Sequence, residues 1–116
     1  MQYINSLATA YAFDDIAVAS GESTSQRDGI LTFLWYIERY LHLARASHPA
    51  AYDHLLHGST GQWRHAILTV WGRAWLFLNA SASERDLGID DLGIMPLVTD
   101  PVLLDEIQRL RAAECP

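Results

Sequence analysis

Two stretches of about twenty residues, Arg27 to Ala46 and Gly61 to Ala80, repeat apolar side chains every three or four positions, and nothing else constrains the chain so tightly. That spacing lines side chains along one side of a helix, and the apolar side must be buried against another element. In the first stretch Ile30, Phe33, Leu34, Ile37, Tyr40, Leu41 and Ala44 share a face, which predicts the core side. At about 100° per residue the opposite side collects Asp28, Leu31, Trp35, Glu38, Arg39 and His42. An indole among charges there is either covered by another segment or is an anchor for a partner. In the second stretch Trp63, Ile67, Val70, Trp71, Ala74, Trp75 and Leu78 form the apolar band. The far side carries the lane His65, Thr69, Gly72 and Leu76. A glycine inside a helix costs about 1 kcal/mol relative to alanine, so this lane is expected to admit a second backbone, from a neighbouring helix or from a second copy of the chain.

The remaining segments fit around this pair. Gln2 to Ala19 reads as a helix with Tyr3, Leu7, Ala10, Tyr11 and Val18 on one side, although Asp14 falls on that side and Ile16 to Ala19 also suits a short strand; a polar loop at 20–25 follows, in which Ser25 and Asp28 resemble the first and fourth positions of a capping box. His48-Pro49 stops the first long helix, because proline disfavours the helical conformation of the residue before it. A short helix, Ala50 to His57, then ends at Gly58. Residues 81–99 read as a turn-rich connector containing Asp86-Leu87-Gly88-Ile89 and Asp91-Leu92-Gly93-Ile94, two copies too short to signal a repeat fold. Asp100-Pro101 opens a last helix with Leu103, Leu104, Ile107 and Leu110 as its stripe, and 112–116 is expected to be a flexible tail. The fold expected is all-α: one domain over 1–116, a bundle of four to five helices with the two long Trp-bearing helices as its antiparallel central pair.

Composition narrows the function classes. Half of the 116 residues are hydrophobic, enough for a sizeable core. The single cysteine, Cys115, allows no internal disulfide and points to a reducing, cytoplasmic setting. No basic residue precedes Arg27 and charges interrupt the apolar runs, which argues against a signal peptide and against a membrane partner. Every cation but histidine is arginine, a bias of GC-rich bacterial or phage genomes rather than of folding. A net charge of −6 without lysine argues against direct nucleic-acid binding. Acids gather late in the chain, and Glu84, Asp86, Asp90 and Asp91 form an acidic surface suited to the basic face of a nucleic-acid-handling protein.

The stripe Leu31, Trp35, Glu38, Arg39 and His42 is the leading candidate site, a protein-binding face, because Trp and Arg dominate measured interfaces. A metal site could be assembled from Glu38, His42, His54, His57 and His65, since carboxylate and imidazole on facing helices build bundle metal centres. No Glu-x-x-His pair supports it. Cys115 has nothing nearby in sequence to activate it as a nucleophile, and Gly58-Ser59-Thr60-Gly61 lacks the lysine of a phosphate-binding loop. These observations point to a small acidic non-catalytic binding protein of the inhibitor, immunity or adaptor type, with no cofactor. The competing readings are a metal-binding bundle or metalloenzyme, and an obligate homodimer.

Overall fold

The computed structural model describes residues 26–115, and the expectations for Gln2 to Ala19, for the 20–25 loop and for the Ser25 cap lie outside them. The described part is helical, with no strand among its residues. The long helices are α1 (Gln26–Ser47) and α3 (Gln62–Ala80), with the short α2 (Pro49–His57) between them. A short 3-10 turn (Arg85–Leu87), α4 (Asp91–Val98) and α5 (Pro101–Glu114) complete the order. Each boundary has a local cause. Proline sits at the start of both α2 and α5, where its missing N–H costs nothing, and the Asp100 carboxylate accepts from Val102 N at 2.9 Å to cap α5. The chain reverses between α2 and α3 through Ser59, Thr60 and Gly61, all at positive φ.

α1 is the hub. It packs against α4, α2 and α5 and only slightly against α3, so the two long helices do not form a central pair. Ile30, Leu31, Leu34, Leu41 and Ala44 of α1 meet Tyr52, Trp71, Ala74, Leu78, Leu87, Val98, Ile107 and Leu110 in one buried cluster.

The buried side of α1 is rotated from the one that apolar spacing predicts. Phe33 and Tyr40 are exposed, whereas Leu31 and Glu38, expected on the outer side, are fully buried. The observed seam runs Arg27, Leu31, Leu34, Glu38, Leu41, Arg45, with the alternating three- and four-residue spacing of a packed helix. Its two arginines are met by acids on other helices. Arg27 Nε donates to Asp91 Oδ2 at 2.9 Å, and its Nη1 donates to Leu78 O at 2.7 Å and to Ser81 Oγ, tying the start of α1 to the end of α3 and the start of α4. Arg45 donates to both oxygens of the buried Glu106, from Nε at 3.0 and 3.1 Å and from Nη2 at 2.7 Å.

Two further expectations change. The segment expected as a loose connector holds α4, whose entry is fixed when Asp28 of α1 accepts from the backbone N–H groups of Ile89 and Asp90 at 3.0 to 3.1 Å. The expected tail is helical to Glu114, and that residue is anchored by Arg64 at 2.7 Å and His65 at 2.8 Å.

Candidate protein-binding surface

The outward side of α1 is aromatic. Tyr36 and Tyr40, one turn apart, are 60% and 59% exposed, and Leu43 continues the row. Rotation of the helix toward its buried ion pairs is what turns these rings to solvent. Two grooves flank the ridge they make, and Tyr40 borders both.

The first groove, of about 520 Å³, lies among α1, α2 and α3. Tyr36, Ile37 and Tyr40 form one wall, His54 and Leu55 another, and Trp63 and Ile67 the third. Trp63 is 58% exposed although it belongs to the predicted apolar band, because it precedes the part of α3 that reaches the core at Trp71. The turn before it sets this position. Ser59 and Thr60 are non-glycine residues in the left-handed region, a conformation that costs about 1–2 kcal/mol each, and they start α3 beside α2.

The second groove, of about 610 Å³, separates α1 from the α4–α5 corner. Trp35, Arg39 and His42 line it from α1, and Leu97, Asp100 and Val102 from the corner. Trp35 is half-buried and packs on the core with part of its ring, so both readings of this indole hold in part. The Arg39 guanidinium carbon stands 5.3 Å from its ring centroid, within cation–π range, and Tyr36 lies 5.6 Å away at a tilted angle.

Of the predicted face Leu31, Trp35, Glu38, Arg39 and His42, the groove therefore gathers Trp35, Arg39 and His42. Leu31 and Glu38 lie in the core instead, a correction that follows from the rotation of α1. His42 Nδ1 is 3.1 Å from Glu106 Oε1. Burial opposes the charge on Glu106, but the hydrogen bonds from Arg45 and His42 outweigh it and hold the carboxyl below the ordinary range. Glu38 has no such help. Neither of its carboxyl oxygens has a hydrogen-bond partner, and burial, reinforced by the charge of Asp100, pushes its pKa up from 4.5 to about 8.

The other candidates are scattered. His65 bonds Glu114 at the far end of α3, and His54 lines the first groove. His57 is exposed at the end of α2. Among the described residues no three His, Cys, Asp or Glu lie together in a group that could hold a metal ion, so Glu38, His42, His54, His57 and His65 do not converge. A Cβ on Gly72 would meet nothing within 4 Å among the described residues, so none of them brings a backbone close to the glycine of the His65, Thr69, Gly72, Leu76 lane; Leu76 is exposed there. In the acidic set, Asp90 is exposed and Glu84 and Asp86 are half-buried. Asp91 is no surface acid, being buried against Arg27. Sequence reasoning missed Tyr36, Tyr40 and Trp63. The available signal was the seam through Arg27, Glu38 and Arg45, hidden because only apolar residues were counted.

No helix is long and apolar enough to cross a membrane among the described residues. Compared with protein-family models, with curated proteins and with solved structures, the chain finds no match.

Proposed function

We propose that this chain is a small non-catalytic binding protein of the inhibitor, immunity or adaptor type, and that it engages another protein through the outward side of α1. The observation that carries the reading is the ridge of Tyr36 and Tyr40 set between two grooves, with Trp35 and Arg39 in the wall of one and Trp63 in the wall of the other. Large rings that already sit in a packed scaffold lose little side-chain entropy on binding, and Trp, Tyr and Arg are the residue types that most often dominate interface energies. Exposed aromatic surface gathered at one place also favours an interface over chance exposure.

The test is capture of a partner from cells of the source by the immobilised chain, followed by affinity measurement with Tyr40→Ala and Trp35→Ala. Each truncation is expected to cost about 2 kcal/mol of binding, roughly thirtyfold in Kd, with circular dichroism unchanged. Undiminished capture by both variants would sink the assignment. A second copy of the chain is the alternative partner, favoured by the open lane at Gly72 beside exposed Leu76. Light scattering decides that: a dimer that Leu76→Asp converts to monomer supports it, and a monomeric wild type removes it.

A further inference from the structure

The helix α4 turns an aliphatic side to solvent. Its inward residues are Asp91 and Val98, both buried, with Ile94 and Met95 half-buried. Outward lie Leu92, Gly93, Pro96 and Leu97, with Ile89 just before the helix, all exposed and none ionisable. Ile89 is 73% exposed and Leu92 69%, more than any ring of the α1 ridge. This side is held in place, because Arg27 bonds Asp91 and Asp28 accepts from the N–H groups of Ile89 and Asp90. An exposed aliphatic patch on a fixed element marks a surface that a partner covers, and the charges around it say which partner. The Asp90 carboxylate folds back over Gly93, where a Cβ would collide with it, so an acid lies on the patch itself. Asp90 has no ion pair among the described residues. Asp100 stands exposed beyond the far end of α4. Arg27 is committed to Asp91, while Arg39 and His42 stand on the opposite wall of the second groove, over Trp35 and against Glu106. Leu97 carries the patch into that groove, whose lining it shares with Trp35 and Leu43, so patch and ridge are continuous.

We propose that the outward side of α4 docks a basic amphipathic helix of the partner protein, its aliphatic side chains on Leu92, Pro96 and Leu97 and its lysine or arginine side chains over Asp90 and Asp100. This rests on the binding role proposed above and states the chemistry of the partner. The eight residues of α4 span about 12 Å, which sets the partner's cations two turns or more apart on either side of its apolar anchors. Aliphatic contact supplies the affinity, and the acids select the sign of charge and the register. Other occupants match less well. An anionic membrane would meet Asp90, Asp100 and a net charge of −6. A second copy seated symmetrically would set the same acids against each other. Residues 1–25 carry Asp14, Asp15 and Glu22 and no arginine, lysine or histidine.

The full chain, labelled for NMR, would be titrated with synthetic peptides built on one amphipathic helical pattern: leucines flanked by lysine and arginine, the same leucines flanked by glutamate, and the basic peptide with its leucines changed to serine. Vesicles of phosphatidylcholine, with and without phosphatidylserine, complete the set. The basic amphipathic peptide is expected to move the amide signals of Ile89, Leu92, Gly93 and Leu97 and to bind at least about tenfold more tightly than either control peptide, weakening as salt is raised. Leu92→Ser and Asp90→Asn alter exposed positions, so the spectrum should stay folded while each weakens the basic peptide, the first about tenfold and the second about threefold. Equal binding of the acidic peptide, undiminished binding of the serine peptide, no binding at all, or full affinity in both variants overturns the inference. The same signals moved by phosphatidylserine vesicles and not by peptide overturn it in favour of a membrane, and their movement with concentration in the chain alone overturns it in favour of a second copy. Failure here with partner capture still lost in Tyr40→Ala leaves the binding role standing. Peptide binding as expected, with capture undiminished in Tyr40→Ala and Trp35→Ala, supports the α4 surface and strikes the α1 assignment alone.

Discussion

Replacing Glu38 with methionine should stabilise the protein, and the gain should grow as pH rises. The folded-state pKa is raised from 4.5 to about 8, so between those values the folded protein holds a proton that the unfolded chain has released. The unfolded state then binds fewer protons than the native one, and stability falls with increasing pH across that window. At about 1.4 kcal/mol per pH unit about 3 kcal/mol is lost at pH 7 and about 4 kcal/mol at pH 8, and the full loss, reached above that, approaches 5 kcal/mol. Methionine fills nearly the same volume, adapts to an irregular site and has no ionisation to suppress. Urea unfolding of the wild type and of Glu38→Met at about pH 5, 7 and 8.5 measures the difference directly. The variant should gain about 3 kcal/mol at neutral pH and markedly less near pH 5, with the two stability curves diverging toward alkaline pH. Glu38→Gln is the control that removes titration while keeping the shape, and it should flatten the alkaline slope in the same way. Glu106 governs the other side. Its pKa is lowered, so the stability it contributes is present above the ordinary carboxylate range and is lost as pH falls through its depressed value, in both wild type and variant. Parallel curves for wild type and Glu38→Met at all three pH values would refute the reasoning, since they would mean that Glu38 titrates alike in the folded and unfolded states.

Arg27→Met should destabilise by about 3–5 kcal/mol, because it leaves Asp91 buried without its guanidinium, while Arg27→Met combined with Asp91→Leu should recover most of the loss in denaturant titrations. At the α2–α3 turn, Thr60→Gly should raise stability by up to about 1 kcal/mol, as relief of left-handed strain exceeds the entropy that glycine adds to the unfolded chain. A lower thermal midpoint for that variant would count against strain at this turn.

The helical class, the break at His48-Pro49, the cap at Asp100 and the stripe of α5 were legible in the sequence, because each depends on neighbours within a turn or two of the chain. Spacing alone identifies α1 and α3 as helices for the same reason. Which side of α1 faces inward was not legible. Arg27 enters the core, and Arg45 lies at its edge, only because Asp91 and Glu106 wait there, roughly sixty residues along the chain, and no local pattern announces such a pairing. With that rotation Leu31 and Glu38 go inside while Tyr36 and Tyr40 go out. The grooves likewise belong to no single segment, since the first is walled by α1, α2 and α3 and the second by α1 and the α4–α5 corner. The sequence by itself determined the helices and most of their ends, through backbone preferences and apolar periodicity that act at short range. Only the tertiary structure decided which aromatic rings meet solvent and which carboxyl is left buried without a partner, because those outcomes follow from ion pairs and packing between distant parts of the chain.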